Sequence, residues 1–196
     1  MKYGDTAKWI LLLCGCLLSR GRAVTVNVDG NKLGRTFEGI GAVSAGASTR
    51  LVYDYPEPTR ADILDFLFKP KFGAGFQHLK VEIGGGENST CGSEPSHAIK
   101  KAEAANPVAT RGYELWLARE ARNRNPGIIL DALAWSYPNW FSTTWSQDNA
   151  DYMASFLKAA KQGWNLDFQW LGACKNEKGY NRNWIVNNLR PTLDQA

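Results

Sequence analysis

Between Phe37 and Leu189 the chain alternates short apolar runs with longer amphipathic ones. Four runs read as buried strands: Phe37–Val43, His78–Ile83, Ile128–Trp135 and Phe168–Cys174. Each is continuous in its apolar character and ends in turn-forming or polar residues, the pattern of strands covered on both faces. Helical spacing fills the intervals. Pro58–Phe68 carries Ile63, Phe66 and Leu67 on one face, with Pro58 suited to the first turn. Arg111–Asn125 carries Tyr113, Trp116, Leu117 and Ala121 and stops before Pro126-Gly127. Asn149–Gly163 carries Tyr152, Met153, Phe156, Leu157 and Ala160, with Asn149 as N-cap and Gly163 as the stop. Tyr180–Leu189 is a weaker fourth helix, closed by Arg190-Pro191. Ahead of all these, Val24–Val28 alternates and halts at Asp29-Gly30, a short strand and a turn.

Strands alternating with helices imply βαβ units and a parallel sheet. Four such units in a chain of 196 residues fit either a small open α/β sheet or the first half of a (β/α)₈ TIM barrel, which takes about 250 residues when complete. The last residues, Thr192 to Ala196, add no final strand, and the half-barrel is the expectation.

The first 23 residues stand apart from this pattern. Lys2 and Lys8 form a basic n-region, Trp9–Leu18 an apolar h-region, and Gly21-Arg22-Ala23 puts small residues at the −3 and −1 positions of a signal-peptidase site. The apolar run is too short to span a bilayer, which needs about 20 residues, so no transmembrane segment is expected. Removing the segment changes the charge picture. The whole chain carries a net charge of +4, but the remainder holds 19 basic and 18 acidic side chains. No basic patch is left to argue for nucleic acid. Of the four cysteines, Cys91 and Cys174 remain, too few for a disulfide framework. Asn88-Ser89-Thr90 is a glycosylation sequon that suits a secretory route.

Several chemistries are absent. With two histidines, His78 and His97, and no HExxH or Cys/His cluster, no metal is expected. Gly39-Ile40-Gly41 follows a strand start, but Ser44 stands where a dinucleotide fingerprint needs its third glycine. Neither GxSxG nor a phosphate-binding P-loop occurs. No organic cofactor is expected. Gly84-Gly85-Gly86 reads as a flexible loop beside a binding site, and His97 as a structural residue. Carboxylate chemistry remains. In parallel α/β sheets the working groups sit at the C-terminal strand ends. Those ends offer Ser44, the Gly84–Thr90 stretch, Trp135-Ser136 and Asn176-Glu177, with Glu82 and Glu94 nearby. An Asn-Glu pair at a strand end suits glycoside cleavage, in which the Glu protonates the departing oxygen and the Asn binds the neighbouring sugar hydroxyl. Eight tryptophans, most of them expected in the core, also offer ring faces on which a sugar can stack.

Longer motifs sharpen this. FEGIGAVSAG (Phe37–Gly46), YPEP (Tyr55–Pro58), ILDFLFKPKFGA (Ile63–Ala74), LKVEIGG (Leu79–Gly85), GSEPSH (Gly92–His97), RGYELWL (Arg111–Leu117) and RNPGIIL (Arg124–Leu130) occur in this order. On them the chain resembles the amino-terminal part of the galactocerebrosidase family, glycoside hydrolase family 59. The resemblance implies a lysosomal enzyme that removes β-galactose from galactosylceramide and related galactolipids by a retaining double displacement. It assigns residues 24–36 to the strand and turn of a flanking β-sandwich and 37–196 to the amino-terminal half of a TIM-barrel catalytic domain. Glu177 takes the proton donor and acceptor role. Thr90, Trp135 and Asn176 contact substrate, Asn88 carries glycan, and the nucleophile glutamate belongs to a later strand, so this chain by itself is expected to be inactive. A saposin-like lipid presenter is the implied partner. Two departures stand out: Lys175 replaces the tryptophan of the family's Trp-Asn-Glu motif, and Cys174 replaces a small apolar residue. A catalytically silent glycolipid-binding paralogue and a truncated gene model are the alternative readings.

The targeting segment is testable directly. Amino-terminal sequencing of secreted material is expected to begin at Val24; intact Met1 on a cytosolic protein contradicts both the signal peptide and the lysosomal route.

Overall fold

Four parallel strands, β1 (Gly41–Ser44), β2 (His78–Ile83), β3 (Ile129–Ala134) and β4 (Trp170–Leu171), lie side by side in chain order in a computed structural model that describes residues 24–46, 48–86, 94–173 and 179–196. Parallel neighbours require crossover connections, and each connection here carries helix. α1 (Thr49–Asp54) and α2 (Thr59–Phe68) join β1 to β2. A 3₁₀ turn (Lys101–Ala104) and α3 (Glu114–Arg124) join β2 to β3. α4 (Gln147–Trp164) joins β3 to β4. After β4, α5 (Arg182–Trp184) runs through a π turn (Ile185–Leu189) into α6 (Arg190–Gln195). The architecture is α/β with a parallel sheet, as the alternation of patterns requires.

Strand alternation divides the sheet into two faces. Leu79, Val81 and Ile83 of β2 and Leu130, Ala132 and Ala134 of β3 are at most 2% exposed, packed with Leu64, Phe68, Leu115, Ala118, Met153 and Phe156 from the helices. Each large side chain so buried contributes about 1.5–3 kcal/mol. Alanines at Ala132, Ala134, Ala118 and Ala121 let helix and sheet approach closely. On the other face the register sets Lys80 beside Asp131, and the two pair, with His78 Nε2 3.8 Å from the same carboxylate.

The β2 bounds are those read from sequence, and the remaining strands are shorter. β1 begins only at Gly41, because Gln77 takes the preceding backbone: Ile40 donates to Gln77 Oε1 at 2.8 Å and Gln77 donates back to the Ile40 carbonyl at 2.9 Å. The α2 face is rotated from the expected one. Leu64 and Phe68 are buried, whereas Phe66 is 58% exposed, since the chain returning through Gly73 and Ala74 folds over the end of this helix, with Ala74 donating to the Phe66 carbonyl. α4 is capped by Ser146, whose hydroxyl accepts from Asn149, and ends at Asn165 in the left-handed conformation rather than at Gly163. The last helix does not stop at Arg190-Pro191. Arg190 donates to the Ile185 carbonyl five residues back, and Pro191, lacking an N–H, occupies the opening positions of α6, where no intrahelical donor is needed.

Residues up to Phe37 form a separate unit. There the expected strand Val24–Val28 is absent. Val24, Val26 and Val28 are 74–88% exposed, and among the described residues no strand pairs with them. Alternation gives a segment the capacity to be a strand, but the ladder needs a partner. The turn after it does form: Lys32 donates to the Asp29 carbonyl and Asn31 to Asp29 Oδ1, both at 3.0 Å.

Most tryptophans among the described residues pack on the core, as expected, with Trp170 the exposed exception. The indole N–H groups of Trp140, Trp164 and Trp184 donate to the carbonyls of Ala98, Ala109 and Ser146 at 3.0, 2.6 and 2.8 Å. At the centre lies Tyr152, fully buried and stacked on His97 at 4.3 Å. Its hydroxyl meets Ser96 Oγ at 2.8 Å and donates to the Gly84 carbonyl just beyond β2. Tyr152→Phe is expected to cost about 1–3 kcal/mol, because it strands the buried carbonyl of Gly84. Denaturant unfolding measures the loss, and an unchanged midpoint contradicts the role assigned to the hydroxyl.

Candidate active site

The C-terminal ends of the strands meet through unusually close backbone contacts. A Cβ on Gly85 would stand 2.4 Å from the Ser136 carbonyl carbon, and one on Gly84 would stand 2.6 Å from the carbonyl oxygens of Glu94 and Pro95. The ends of β2 and β3 and the Glu94–Pro95 segment thus close on one another only because residues 84 and 85 lack side chains. Both glycines are buried, so Gly84-Gly85 is a packed joint rather than the flexible loop its composition suggests; only Gly86 is exposed.

Three glutamates occupy this end of the sheet and are at most 3% exposed: Glu82, Glu94 and Glu114. Glu82, at the end of β2, accepts from the backbone N–H of Gly46 beyond β1. Glu94 caps α3, accepting from the N–H groups of Tyr113 and Glu114 at 2.7 and 3.2 Å. A carboxylate at a helix N-terminus satisfies donors that have no partner within the helix. Gly112, at φ 88°, makes the approach possible, since a Cβ there would stand 2.2 Å from Glu94 Oε1. Glu114, in the first turn of α3, accepts from Ser44 Oγ at 2.9 Å and Thr49 Oγ1 at 2.5 Å, tying α3 to β1 and α1.

Burial dominates the protonation of all three. It raises the Glu82 pKa against the opposing Gly46 hydrogen bond. It raises Glu94 to about 7, with the charge of Glu82 adding to the effect. It raises Glu114 to about 8, opposed by the Thr49 hydroxyl and reinforced by the charge of Glu94. Burial acts in the opposite sense on His97, lowering it to about 3 and keeping the imidazole neutral. His97 Nε2 meets Ser155 Oγ at 2.7 Å and the Tyr152 carbonyl at 3.1 Å, the structural role expected for it.

Of the residues singled out from sequence, Trp135 lies directly after β3, half-buried, at the strand-end layer. Thr90 and the sequon residue Asn88 lie outside the described residues, as do Cys91, Cys174, Lys175, Asn176 and Glu177. The last four follow β4 in sequence. Ser44 is brought to Glu114 and Thr49. Glu114 is the site residue that the sequence reading passed over, having assigned residues 111–125 only an apolar face. Its spacing held a signal: Glu114, Ala118 and Ala121 recur at i, i+4 and i+7, placing the carboxylate on the buried stripe. Among the described residues no group of three His, Cys, Asp or Glu side chains is placed to hold a metal ion, and no helix is long and apolar enough to cross a membrane.

Known proteins share both the sequence and the architecture. Residues 37–196 match the model of glycosyl hydrolase family 59. The chain is 46% identical over 191 residues to the galactocerebrosidase of Mus musculus, covering 94% of this chain and 27% of that protein. It is 47% identical over 182 residues to that of Homo sapiens, covering 89% and 26%. It therefore spans about a quarter of the length of these curated relatives. Among solved structures, an endo-β1,6-glucanase superposes with a TM-score of 0.64 at 20% identity, over 88% of this chain and 46% of that one. The catalytic domain of a GH30 xylanase from Talaromyces cellulolyticus gives 0.58 at 18%, over 82% and 44%. At such identities the likeness speaks for the fold alone. The match across residues 37–196, with its parallel α/β architecture, makes the chain a member of glycosyl hydrolase family 59.

Proposed function

We propose that the four βα units are the amino-terminal half of a (β/α)₈ barrel, and that the full-length enzyme removes β-galactose from galactosylceramide and related galactolipids with retention of configuration. The observation that carries this reading is the family match over residues 37–196, with Asn176-Glu177 following the fourth parallel strand in sequence. In a retaining glycosidase two carboxyl groups stand about 5–5.5 Å apart. A nucleophile carboxylate from a later strand attacks the anomeric carbon, and the bond to the ceramide oxygen breaks as Glu177 delivers its proton to that oxygen. Glu177, now ionised, takes a proton from water, whose oxygen displaces the nucleophile and releases galactose. Trp135 offers its indole face to the apolar side of the sugar, while Thr90 and Asn176 hydrogen-bond its hydroxyls. Ceramide tails partition into bilayers, so a saposin-like lipid presenter and a lysosomal setting, reached through the signal peptide and with glycan on Asn88, complete the proposal.

Two substitutions in a form that carries the remaining strands test the assignment. Glu177→Gln keeps size but cannot donate a proton, so activity on galactolipid is expected to fall about 10²–10⁴-fold. The loss shrinks with an activated aryl galactoside, and azide restores turnover of the stalled glycosyl-enzyme. Equal losses on both substrates without azide rescue contradict the assignment. Lys175 stands two residues from Glu177, and residues so spaced share a face on a regular strand. A cation there favours the ionised carboxylate, so Lys175→Trp is expected to move the alkaline limb of the pH–rate profile to higher pH. An unchanged profile places the ammonium away from Glu177.

A further inference from the structure

Trp135 stands apart from the tryptophans of the helix layer. Trp116, Trp140, Trp145 and Trp164 pack against the core, and Trp135 does not. It is half-buried directly after β3, and among the described residues its indole makes no hydrogen bond and no ring contact. An aromatic side chain without such partners takes its position from the backbone that carries it. Whatever fixes that backbone therefore fixes the indole.

The chain is pinned on both sides of Trp135. Upstream, Ala134 is fully buried and paired with Ile83 at the last register position of β2 and β3. Downstream, Tyr137 and Trp140 pack on the core, and the Trp140 indole N–H donates to the Ala98 carbonyl at 3.0 Å. Between these anchors Ser136 is 3% exposed and lies against Gly85. A Cβ on Gly85 would stand 2.4 Å from the Ser136 carbonyl carbon, 2.5 Å from its Oγ and 2.6 Å from its carbonyl oxygen. Two of these three atoms are backbone, so no change of rotamer relieves the crowding. Gly85 cannot retreat either. The Gly84 carbonyl before it accepts from the Tyr152 hydroxyl, and the Gly86 N–H after it donates to the Glu94 carbonyl at 3.0 Å. Close packing of this kind passes a displacement on instead of absorbing it.

We propose that Gly85 is a positioning residue of the substrate pocket: its missing side chain lets the Trp135-Ser136 peptide seat against the end of β2, and that seat aims the Trp135 indole at the sugar. The aim at sugar rests on the proposed galactosidase reading; the seating of the peptide does not. Gly85 touches no substrate and acts only through Trp135. Its φ lies outside the left-handed region, so alanine there keeps the backbone conformation and adds only a methyl group where Ser136 stands. The pinned segment then gives way at Trp135, whose indole has no hydrogen bond or ring contact to hold it. A displaced indole loses contact with the sugar in the ground state and the transition state alike, which raises KM and spares kcat.

The test uses the full-length form labelled with 5-fluorotryptophan, in which the fluorine resonance lost in Trp135→Ala is that of Trp135. Gly85→Ala is expected to move this resonance and to raise KM for galactolipid about 3–10-fold, the worth of one ring contact, with kcat kept within about twofold. Adding Ser136→Gly, which clears the hydroxymethyl group from the joint, is expected to restore part of both. Gly163→Ala is the comparison for crowding in general: a Cβ there would stand 2.2 Å from the Ala109 Cβ in the helix layer. It is expected to lower the unfolding midpoint and to leave the Trp135 resonance and KM unchanged. An unmoved resonance in Gly85→Ala overturns the proposal, and so does an equal rise in KM in Gly163→Ala. If Gly85→Ala fails to fold, Ser136→Gly alone is expected to move the resonance by loosening the same seat, and an unmoved resonance there overturns the proposal as firmly. An unchanged KM in Trp135→Ala sinks the substrate role of Trp135 alone, since the resonance decides the seating independently.

Discussion

Three carboxyl groups buried at one end of a parallel sheet are the constraint on which the site end of this molecule depends. Glu94 supplies the cap that α3 needs, Glu114 reaches from the same helix turn to Ser44 and Thr49, and Glu82 holds the backbone that follows β1. Between them they join the ends of β1 and β2 to the start of α3. In water each would be an ordinary exposed acid. Here desolvation outweighs the hydrogen bonds offered to them, and the balance leaves the acids favouring their protons.

Closeness of backbones is what makes that burial possible. Gly84, Gly85 and Gly112 each stand where a Cβ would strike a neighbouring carbonyl, hydroxyl or carboxylate. On the covered face, alanines in β3 and α3 perform a similar service, and Tyr152 fills the space behind the strand ends while tying off the Gly84 carbonyl. Packing and polar satisfaction are therefore one design: the side chains that fill the core also hold the loops that rim the site.

Solved structures 16–20% identical to this chain share its fold. What such chains hold in common is the order of strand and helix patterns, which suffices for the architecture. The chemistry at the strand ends depends on individual residues, which is why the function rests on the family motifs and not on the fold.

Sequence by itself determined the parallel α/β class, the limits of β2, the long amphipathic face of α4, and the family, because all of these follow from local periodicity or contiguous motifs. Of the residues that the structure places at the strand ends, Trp135 was legible by its position and Glu82 and Glu94 as carboxylates with no motif of their own, whereas Asn176-Glu177, proposed from position and family motif, lie outside the described residues. Tertiary structure alone decided the rest. Val24–Val28 has the alternation of a strand, but among the described residues no strand pairs with it. Phe66 lies on an apparently apolar helix face, yet the returning chain covers the adjacent face instead. Glu114 resembles a solvated helix residue until Ser44 and Thr49, 70 and 65 residues earlier, are folded against it. Such contacts carry no local signature, because pairing, helix phase and the protonation of a buried acid are all set by whichever distant segment excludes water from them.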